Sequence, residues 1–470
     1  MDKSAGDTNG PEPTAPGAPR IAALRPDFIW GAATSSFQIE GATRVDGRGP
    51  SVWDTDGRRG VIPGKDTGDV ACDHYHRYPE DIALMQKLGV QAYRFSVAWP
   101  RVLPQGRGQA NEPGLAFYDR LIDGLLAAGI EPWLCLYHWD LPQALDDLGG
   151  WTNRDSVGWF SDYAALVADR YGDRVKRFAT FNEPAIFTLF GYGFGRGNRD
   201  ETPIEELHHA IHHVNLSHGA AVDVLRARVG GCSLGSIHNV QPCRPSSPAD
   251  ADGACWADTY WNRAYPDPQF LGSYPDLLRP AMEAIMRPGD LERIHRPVDW
   301  FGLNHYSPIY VRTDNAARFR FAFGDRPPGI PVTPMDWPIE PDGFRDSLLR
   351  VTKDYGLPVY VTENGFGGHD KPDITGAVID NDRIAFLKGY INAMNDAAAE
   401  GADIRGYFVW SLLDNFEWDS GYAARFGLVY IDYPTQKRTP KASFDWYKGL
   451  IKVARAQAWH FPWPPAHRAR

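Results

Sequence analysis

The chain alternates short apolar runs with longer stretches in which apolar residues recur at helical spacing. Runs rich in β-branched and aromatic residues predict buried strands, and the amphipathic stretches between them predict helices. The predicted strands cover residues 28–41, 91–99, 131–139, 175–183, 234–240, 298–306, 359–363 and 404–412. The predicted helices cover residues 69–88, 113–128, 157–171, 205–229, 382–399 and 441–454.

The order of these elements predicts the α/β fold class. Strands that alternate with helices form a parallel sheet, and eight such strands close most naturally into a single (β/α)8 TIM barrel. The long stretches after the fifth, sixth and eighth strands are predicted to be βα loops at the C-terminal face. No shift in composition divides the chain, so residues 21–458 are predicted to form one domain. Residues 1–20, which lack an apolar run, are predicted to be a disordered tail, and residues 459–470 a second tail.

Two of the predicted strands end in a glutamate. Glu183 ends the fourth strand and Glu363 the seventh, and they are 180 residues apart, since 363 − 183 = 180. The C-terminal ends of all strands of a TIM barrel meet at one face, so the two carboxylates are predicted to share one mouth. Carboxylates about 5–5.5 Å apart are suited to retaining glycoside hydrolysis. The alternative is that each glutamate caps a helix or pairs with a loop arginine.

Neighbouring residues predict different roles for the two carboxylates. Like charges that close cannot both be comfortably ionised, so one group keeps its proton near neutral pH. Arg94, near the end of the second strand, and Tyr306, at the end of the sixth, are predicted to hold Glu363 as the ionised nucleophile. Glu183 is then the acid, and it becomes the base once Glu363 is consumed in the covalent intermediate.

Composition and charge limit the possible partners. With 470 residues, 43% hydrophobic and 23% charged, the chain has the composition of a globular protein that buries a large core. The net charge is −10 and Lys and Arg are scattered, so neither nucleic acid nor a membrane surface is favoured as a partner. The N-terminus lacks the apolar run of a signal peptide, and the five cysteines form no CxxC pair, so a cytoplasmic location with reduced thiols is predicted. The sequence leaves the oligomeric state open.

A group of histidines raises the question of a metal site. Its members are His208, His209, His212, His213 and His218. Side chains four positions apart on a helix can hold zinc. These histidines lack the HExxH pattern and fall on a predicted outer helix, so they are predicted to belong to the helix surface or the core. Neither a metal nor a cofactor is predicted.

Two pentapeptides carry a family resemblance. Residues 180–184 (TFNEP) resemble the acid/base motif of glycoside hydrolase family 1, and residues 361–365 (VTENG) resemble its nucleophile motif. The resemblance spans residues 28–454 and includes the stretches 37–41 (FQIEG), 93–96 (YRFS), 137–140 (YHWD), 303–306 (LNHY) and 410–418 (WSLLDNFEW). It implies a retaining exo-β-glycosidase and, within that class, a β-glucosidase that removes terminal non-reducing β-D-glucosyl residues. The implied substrates are β-glucosides such as cellobiose, cello-oligosaccharides or aryl glucosides, with a role in cellulose degradation.

The resemblance also implies a set of site residues. Those implied to act in catalysis are Glu183, Glu363, Arg94, Tyr306 and Asn304. Those implied to bind the non-reducing sugar are Gln38, His138, Trp139, Asn182, Trp410, Glu417 and Trp418. A carboxylate such as that of Glu417 can accept from two adjacent hydroxyls, but it would repel a phosphorylated sugar.

The resemblance is looser at the edge of the site. Trp337, in the loop after the sixth strand, resembles the platform on the leaving-group side, and Phe426 falls near the rim of the sugar pocket. His305 stands where a second tyrosine is common, and it is predicted to point away from Tyr306 because side chains alternate along a strand. Residues 242–261 follow the family pattern poorly, which leaves the shape of this loop and the leaving-group preference open.

Alternatives remain for residues and function alike. His138 and Asn182 are also compatible with structural roles, and Trp410 and Trp418 with the core. A transglycosylase uses every residue named, and a broad enzyme that accepts glucosides, galactosides and fucosides fits the same site. A non-catalytic sugar-binding protein is expected to have lost one of the two glutamates, whereas this chain has both.

Overall fold

A closed barrel of eight parallel strands organises the computed structural model, which describes residues 17–194 and 203–458. Successive strands pair with each other, and the eighth pairs with the first, with Ile29 opposite Gly406. The strands are Ile29–Ala33, Ala92–Ser96, Glu131–Tyr137, Arg177–Asn182, Ser233–Asn239, Trp300–Asn304, Val359–Asn364 and Ile404–Trp410. The predicted (β/α)8 TIM barrel is confirmed.

Most residues of the two predicted tails are outside the part of the chain that the structure describes. Residues 1–16 and 459–470 lie outside the described residues. Residues 17–20, the remainder of the predicted N-terminal tail, lie against a helix of the barrel. Here the Arg20 backbone N–H donates to Asn392 Oδ1 and the Arg20 guanidinium donates to Asp396, each at 2.7 Å.

Long helices cover the outside of the barrel, one after each strand but the fifth in the described chain. They are His74–Leu88, Glu112–Ala127, Ser156–Tyr171, Ile204–Arg228, Pro341–Tyr355, Asn381–Ala399 and Ala442–Ala458. The first of them ends as its sequence predicts: Gly89 has a φ of 85°, and its N–H donates to the Met85 carbonyl oxygen. None of the described helices combines the length and apolar character needed to cross a bilayer.

Shorter elements lie in the connections between strands and helices. The short strands are Cys243–Pro245, Ile309–Thr313 and Phe321–Phe323, which form one sheet, and the pair Val429–Asp432 and Lys437–Pro440. The short helical segments are Ser36–Ile39, Val52–Arg59, Pro63–Lys65, Trp99–Val102, Gln143–Asp146, Gly150–Thr152, Pro184–Thr188, Leu189–Gly193, Pro248–Asp250, Ala251–Asp258, Thr259–Arg263, Asp267–Leu271, Arg279–Glu283, Asp290–Ile294 and Trp418–Ser420.

Aromatic side chains fill the inside of the barrel. The ring of Trp133 lies 5.3 Å from that of Trp300 and 5.0 Å from that of Phe408, centroid to centroid. Alanines on neighbouring strands, such as Ala92 and Ala179, leave room for these rings. The barrel is therefore a packed core, and it closes the site from below.

The strand predicted over residues 28–41 is wrong in its second half. The strand ends at Ala33, and Ser36–Ile39 forms a helical turn. The turn is anchored because the Ser36 N–H donates to Ser96 Oγ at 2.8 Å. Because of this turn, Glu40 lies away from the mouth of the barrel, where it accepts a hydrogen bond from buried Arg101 at 2.8 Å.

The stretch after the sixth strand was predicted to be a loop, but part of it is a helix. Pro341–Tyr355 is a helix of the outer layer. Its buried apolar residues Phe344, Leu348 and Val351 recur four and three positions apart, which is the spacing of an amphipathic helix. The signal was therefore present in the sequence.

Candidate active site

Glu363 lies at the C-terminal end of the seventh strand and is 3% exposed. The guanidinium of Arg94 donates to its Oε1, and the hydroxyl of Tyr306 donates to its Oε2 at 2.6 Å. Donors on both oxygens, one of them a cation, favour the ionised form of the group. The structure thus brings together the three residues that the sequence analysis grouped.

Glu183 follows the fourth strand directly and is 4% exposed. Its φ of 50° is uncommon for a residue other than glycine and turns the chain from the strand into the helix Pro184–Thr188. Its Oε1 accepts hydrogen bonds from the side-chain nitrogens of Asn239 and Asn304, at 2.9 and 2.8 Å.

The amide of Asn304 connects the two carboxyl groups. Its nitrogen donates to Glu183, and it also forms a hydrogen bond that lowers the pKa of Glu363. The Thr362 hydroxyl donates to the amide oxygen at 2.7 Å and so holds the group in place. Both glutamates therefore contact one side chain, although they stand on strands far apart in sequence.

The two carboxyl groups differ in their electrostatics. Burial and then the charge of Glu363 raise the pKa of Glu183 to about 8, against the opposing effect of its two amide donors. Burial raises the pKa of Glu363 as well, but Arg94 and Tyr306 act against it. The arrangement favours a protonated Glu183 beside an ionised Glu363.

A third carboxyl group, that of half-buried Glu417, lies at the other side of the mouth. Burial, followed by the charges of Glu363 and Glu183, raises its pKa to about 8. Its Oε2 accepts from Gln38 Nε2 at 3.3 Å, and a hydrogen bond with Trp410 lowers its pKa. The Ser35 hydroxyl donates to the Gln38 oxygen at 2.6 Å, which leaves the Gln38 nitrogen to face Glu417.

Four aromatic side chains stand around this carboxyl group. The His138 ring lies nearly parallel to the rings of Trp410 and Trp418, at 5.8 and 5.9 Å, and Trp139 packs on Trp418 at 4.7 Å. Burial lowers the pKa of His138 well below its usual range, so the ring is neutral. Asn182 lies 3.2 Å from its Nε2, and Nδ1 has no hydrogen-bond partner within residues 17–194 and 203–458. That nitrogen is therefore a buried polar atom without a partner in this part of the chain.

A cavity of about 650 Å³ opens between these groups. Its lining includes the three carboxyl groups, Tyr306, His138 and the indoles of Trp139, Trp261, Trp337, Trp410 and Trp418. Flat apolar rings beside a few polar groups are suited to sugars, which combine hydroxyl edges with apolar faces.

The two residues predicted at the edge occupy different positions. Trp337 lines the cavity, with its ring 5.5 Å from that of Tyr306. Phe426 is 1% exposed and packs behind both rings, at 5.9 Å from each. His305 turns the other way from Tyr306, as its place on the chain predicts, and its Nδ1 lies 2.7 Å from the Val240 carbonyl oxygen.

Two residues near the acid were not predicted from the sequence: Asn239, which contacts Glu183, and Trp261, which contacts Asn239. Asn239 ends the fifth strand. The same rule that selected the glutamates, a polar residue where a barrel strand ends, selects it too. Trp261 lies in the segment that follows the family pattern poorly, and no pattern in the sequence places it beside Asn239.

The histidines of the helix Ile204–Arg228 have protein partners. His212 lies 2.8 Å from Asp290, and buried His218 lies 2.8 Å from the Thr180 hydroxyl. Burial lowers the pKa of His213 to about 4 and that of His218 to about 3. Within the described ranges, no three His, Cys, Asp or Glu side chains are grouped as metal ligands.

The comparison with known proteins agrees with the fold. The profile of Glycosyl hydrolase family 1 matches residues 21–456. Beta-glucosidase A of Thermotoga maritima is 42% identical over 433 residues, which are 90% of this chain and 97% of that protein. A bifunctional beta-D-glucosidase/beta-D-fucosidase of Bifidobacterium breve is 42% identical over 451 residues, with 90% and 97% covered.

A solved structure is similar over nearly the same range. It is a beta-glucosidase from Thermotoga maritima in complex with glucoimidazole. It has a TM-score of 0.86 and 41% sequence identity, and the match covers 91% of this chain and 98% of that one.

Proposed function

The chain belongs to glycosyl hydrolase family 1 and is a glycoside hydrolase, and from this premise we propose that it is a retaining exo-β-glucosidase. It releases terminal non-reducing β-D-glucosyl residues in two displacements. The observation that carries this proposal is that two carboxyl groups contact the same amide, that of Asn304, but differ in their surroundings. Glu363 accepts hydrogen bonds from Arg94 and Tyr306, whereas the pKa of Glu183 is raised to about 8.

In the first displacement the Glu363 carboxylate attacks the anomeric carbon. Glu183 gives its proton to the glycosidic oxygen, so the aglycone leaves as a neutral alcohol and a covalent glucosyl-enzyme remains. Formation of this ester removes the negative charge of Glu363, which is one of the two causes that raise the pKa of Glu183. Glu183, which has given up its proton to the aglycone, therefore stays ionised more easily and takes a proton from the water that releases glucose.

Glu417 and the residues around it form the proposed sugar pocket. The carboxyl group accepts from two adjacent hydroxyls, and its partners Gln38 and Trp410 orient it for this. The imidazole of His138, which lines the cavity, is the proposed partner of a third hydroxyl. A phosphate group beside the ionised Glu363 would be repelled, so the substrate is an unphosphorylated glycoside.

The remaining part of the cavity accommodates the aglycone. Trp261, Trp337 and Phe323 line this part, and two of these aromatic side chains are indoles. Such a surface binds the flat face of a second sugar ring or of a phenol. Cellobiose, cello-oligosaccharides and aryl glucosides are therefore the proposed substrates. A cytoplasmic location and a role in cellulose degradation stay predictions from the sequence.

Two variants of this function use the same residues. Broad action on glucosides and fucosides is favoured by the resemblance to the enzyme of Bifidobacterium breve, which is named for both activities. Transglycosylation differs only in whether a sugar hydroxyl or water reaches the glucosyl-enzyme. A product analysis at high sugar concentration separates the latter from hydrolysis.

The test is hydrolysis of p-nitrophenyl glycosides, with the first-formed anomer followed by NMR. We expect the β-glucoside to be among the best substrates of a panel with β-galactoside, β-fucoside and α-glucoside, and the α-glucoside to be inert. The first glucose released should be the β anomer, because two inversions restore the configuration. Initial release of α-glucose would contradict the retaining mechanism, and preference for another glycone would contradict the β-glucosidase assignment.

A further inference from the structure

A chain of buried hydrogen bonds leads from Trp261 to the acid. The indole Nε1 donates to Asn239 Oδ1 at 2.9 Å, and Asn239 Nδ2 donates to Glu183 Oε1 at 2.9 Å. Trp261 and Asn239 are 6% and 5% exposed. An indole N–H can only donate, so the amide oxygen of Asn239 must face Trp261 and its nitrogen must face Glu183.

A second chain fixes the other amide in the same way. The Arg94 guanidinium, which can only donate, contacts Asn182 Oδ1 at 2.9 Å. That oxygen also accepts from Asn304 Nδ2 at 3.0 Å, so the nitrogen of Asn304 is the atom that faces Asn182 and Glu183. Oε1 of Glu183 therefore receives two N–H donors whose orientations are set by two donor-only groups.

This arrangement determines where the proton of Glu183 resides. A carboxyl oxygen that accepts two N–H bonds is a poor place for an acidic hydrogen, because the hydrogen would face two donors. Oε2 receives no hydrogen bond from the described residues, and Glu183 lines the cavity. We infer that Trp261 is a positioning residue, which fixes the amide of Asn239 and so keeps the acidic proton on the Oε2 oxygen of Glu183. The inference rests on the proposed role of Glu183 as the acid.

Loss of the indole N–H has a defined consequence. Without it, the Asn239 amide is free to rotate and present its oxygen to Glu183. The acidic O–H of Glu183 then forms a hydrogen bond to that oxygen instead of to the glycosidic oxygen. The titratable and charged groups that act on Glu183, namely Glu363, Glu417, Arg94 and Tyr306, are the same in both cases. Because the amide donor lowers the pKa of Glu183, its loss raises that pKa and moves the alkaline limb of the pH profile upwards.

The experiment compares Trp261→Phe with the unmodified enzyme on aryl β-glucosides that differ in the pKa of the phenol and not in ring size. A poor leaving group needs the proton, whereas a dinitrophenolate does not. For the poorest leaving group we expect kcat/KM to fall about tenfold, and for 2,4-dinitrophenyl β-glucoside we expect it to change less than about twofold. The alkaline limb for the poor substrate should move up by about half a pH unit.

Two further variants complete the design. Trp256→Phe makes the same change on the preceding helix, where the indole stacks on Tyr260 and lies under the guanidinium of Arg320, and it should leave the dependence on the leaving group unchanged. Asn239→Ala removes the donor itself and should steepen that dependence at least as much as Trp261→Phe. It also tests the inference if Trp261→Phe does not fold.

The outcomes separate the possible roles. An equal loss on all aryl glucosides would mean that Trp261 only contacts the aglycone, and it would overturn the inference. An unchanged alkaline limb would overturn it too. If instead the unmodified enzyme showed no dependence on acid assistance, the proposed role of Glu183 itself would fail.

Discussion

Replacing Glu363 with glycine is expected to lower kcat for p-nitrophenyl β-glucoside by about 10⁵-fold or more, because the change removes the carboxylate that forms the covalent intermediate. The space left by the side chain admits a small anion. Added azide should therefore restore cleavage and yield the α-glucosyl azide, since a single displacement inverts the anomeric carbon. Product configuration by NMR is the measurement.

A matched variant guards against a general loss of structure. Glu131 lies at the opposite end of the third strand, where its side chain accepts from Trp133 and Arg177. Glu131→Gln should keep kcat within about twofold, because the N-terminal face of a TIM barrel serves stability. A β-configured azide product, or unimpaired hydrolysis by Glu363→Gly, would remove Glu363 from the role of nucleophile.

The second large effect is expected for Glu183→Ala. Its kcat/KM for cellobiose should fall by about 10³-fold, within the range of general acid catalysis. Its kcat/KM for 2,4-dinitrophenyl β-glucoside should change little, because that leaving group departs unprotonated. Catalysis by the unmodified enzyme requires protonated Glu183, whose pKa is about 8, so kcat/KM falls as the pH rises through that value. This alkaline limb should disappear in the variant.

Two outcomes would contradict the prediction for Glu183→Ala. Equal losses on cellobiose and on the dinitrophenyl glucoside would mean that Glu183 does not supply the proton. Retention of the alkaline limb in Glu183→Ala would assign it to another group, and Glu417, whose pKa is also raised to about 8, is then the first candidate.

The sequence predicted the barrel and its central carboxyl groups because both depend on local patterns. Apolar runs ending in Glu183 and Glu363 marked the strands, and the shared face of a TIM barrel brought the two ends together. The roles of Arg94 and Tyr306 followed from the same argument, since each was predicted near a strand end.

Other features depended on contacts that no local pattern contains. The helical turn Ser36–Ile39 interrupts an apolar run because the Ser36 backbone N–H has a partner in Ser96, far along the chain. The position of Trp261 beside Asn239 depends on how the segment after the fifth strand folds back over the mouth. Phe426 was close in sequence to residues of the sugar pocket, yet its side chain packs in the layer behind Tyr306.

The central claim is that Glu363 carries the sugar in a covalent intermediate. Incubation with 2-deoxy-2-fluoro-β-D-glucosyl fluoride, followed by mass spectrometry of the intact protein and of its peptides, tests this directly. The fluorine at C2 slows both formation and hydrolysis of the intermediate, whereas the reactive fluoride leaving group speeds formation alone, so the intermediate accumulates. We predict one fluoroglucosyl unit per chain, on the peptide that contains Val359–Asn364 and on Glu363 within it. A label on any other residue, or turnover of the reagent without a covalent adduct, would contradict the account.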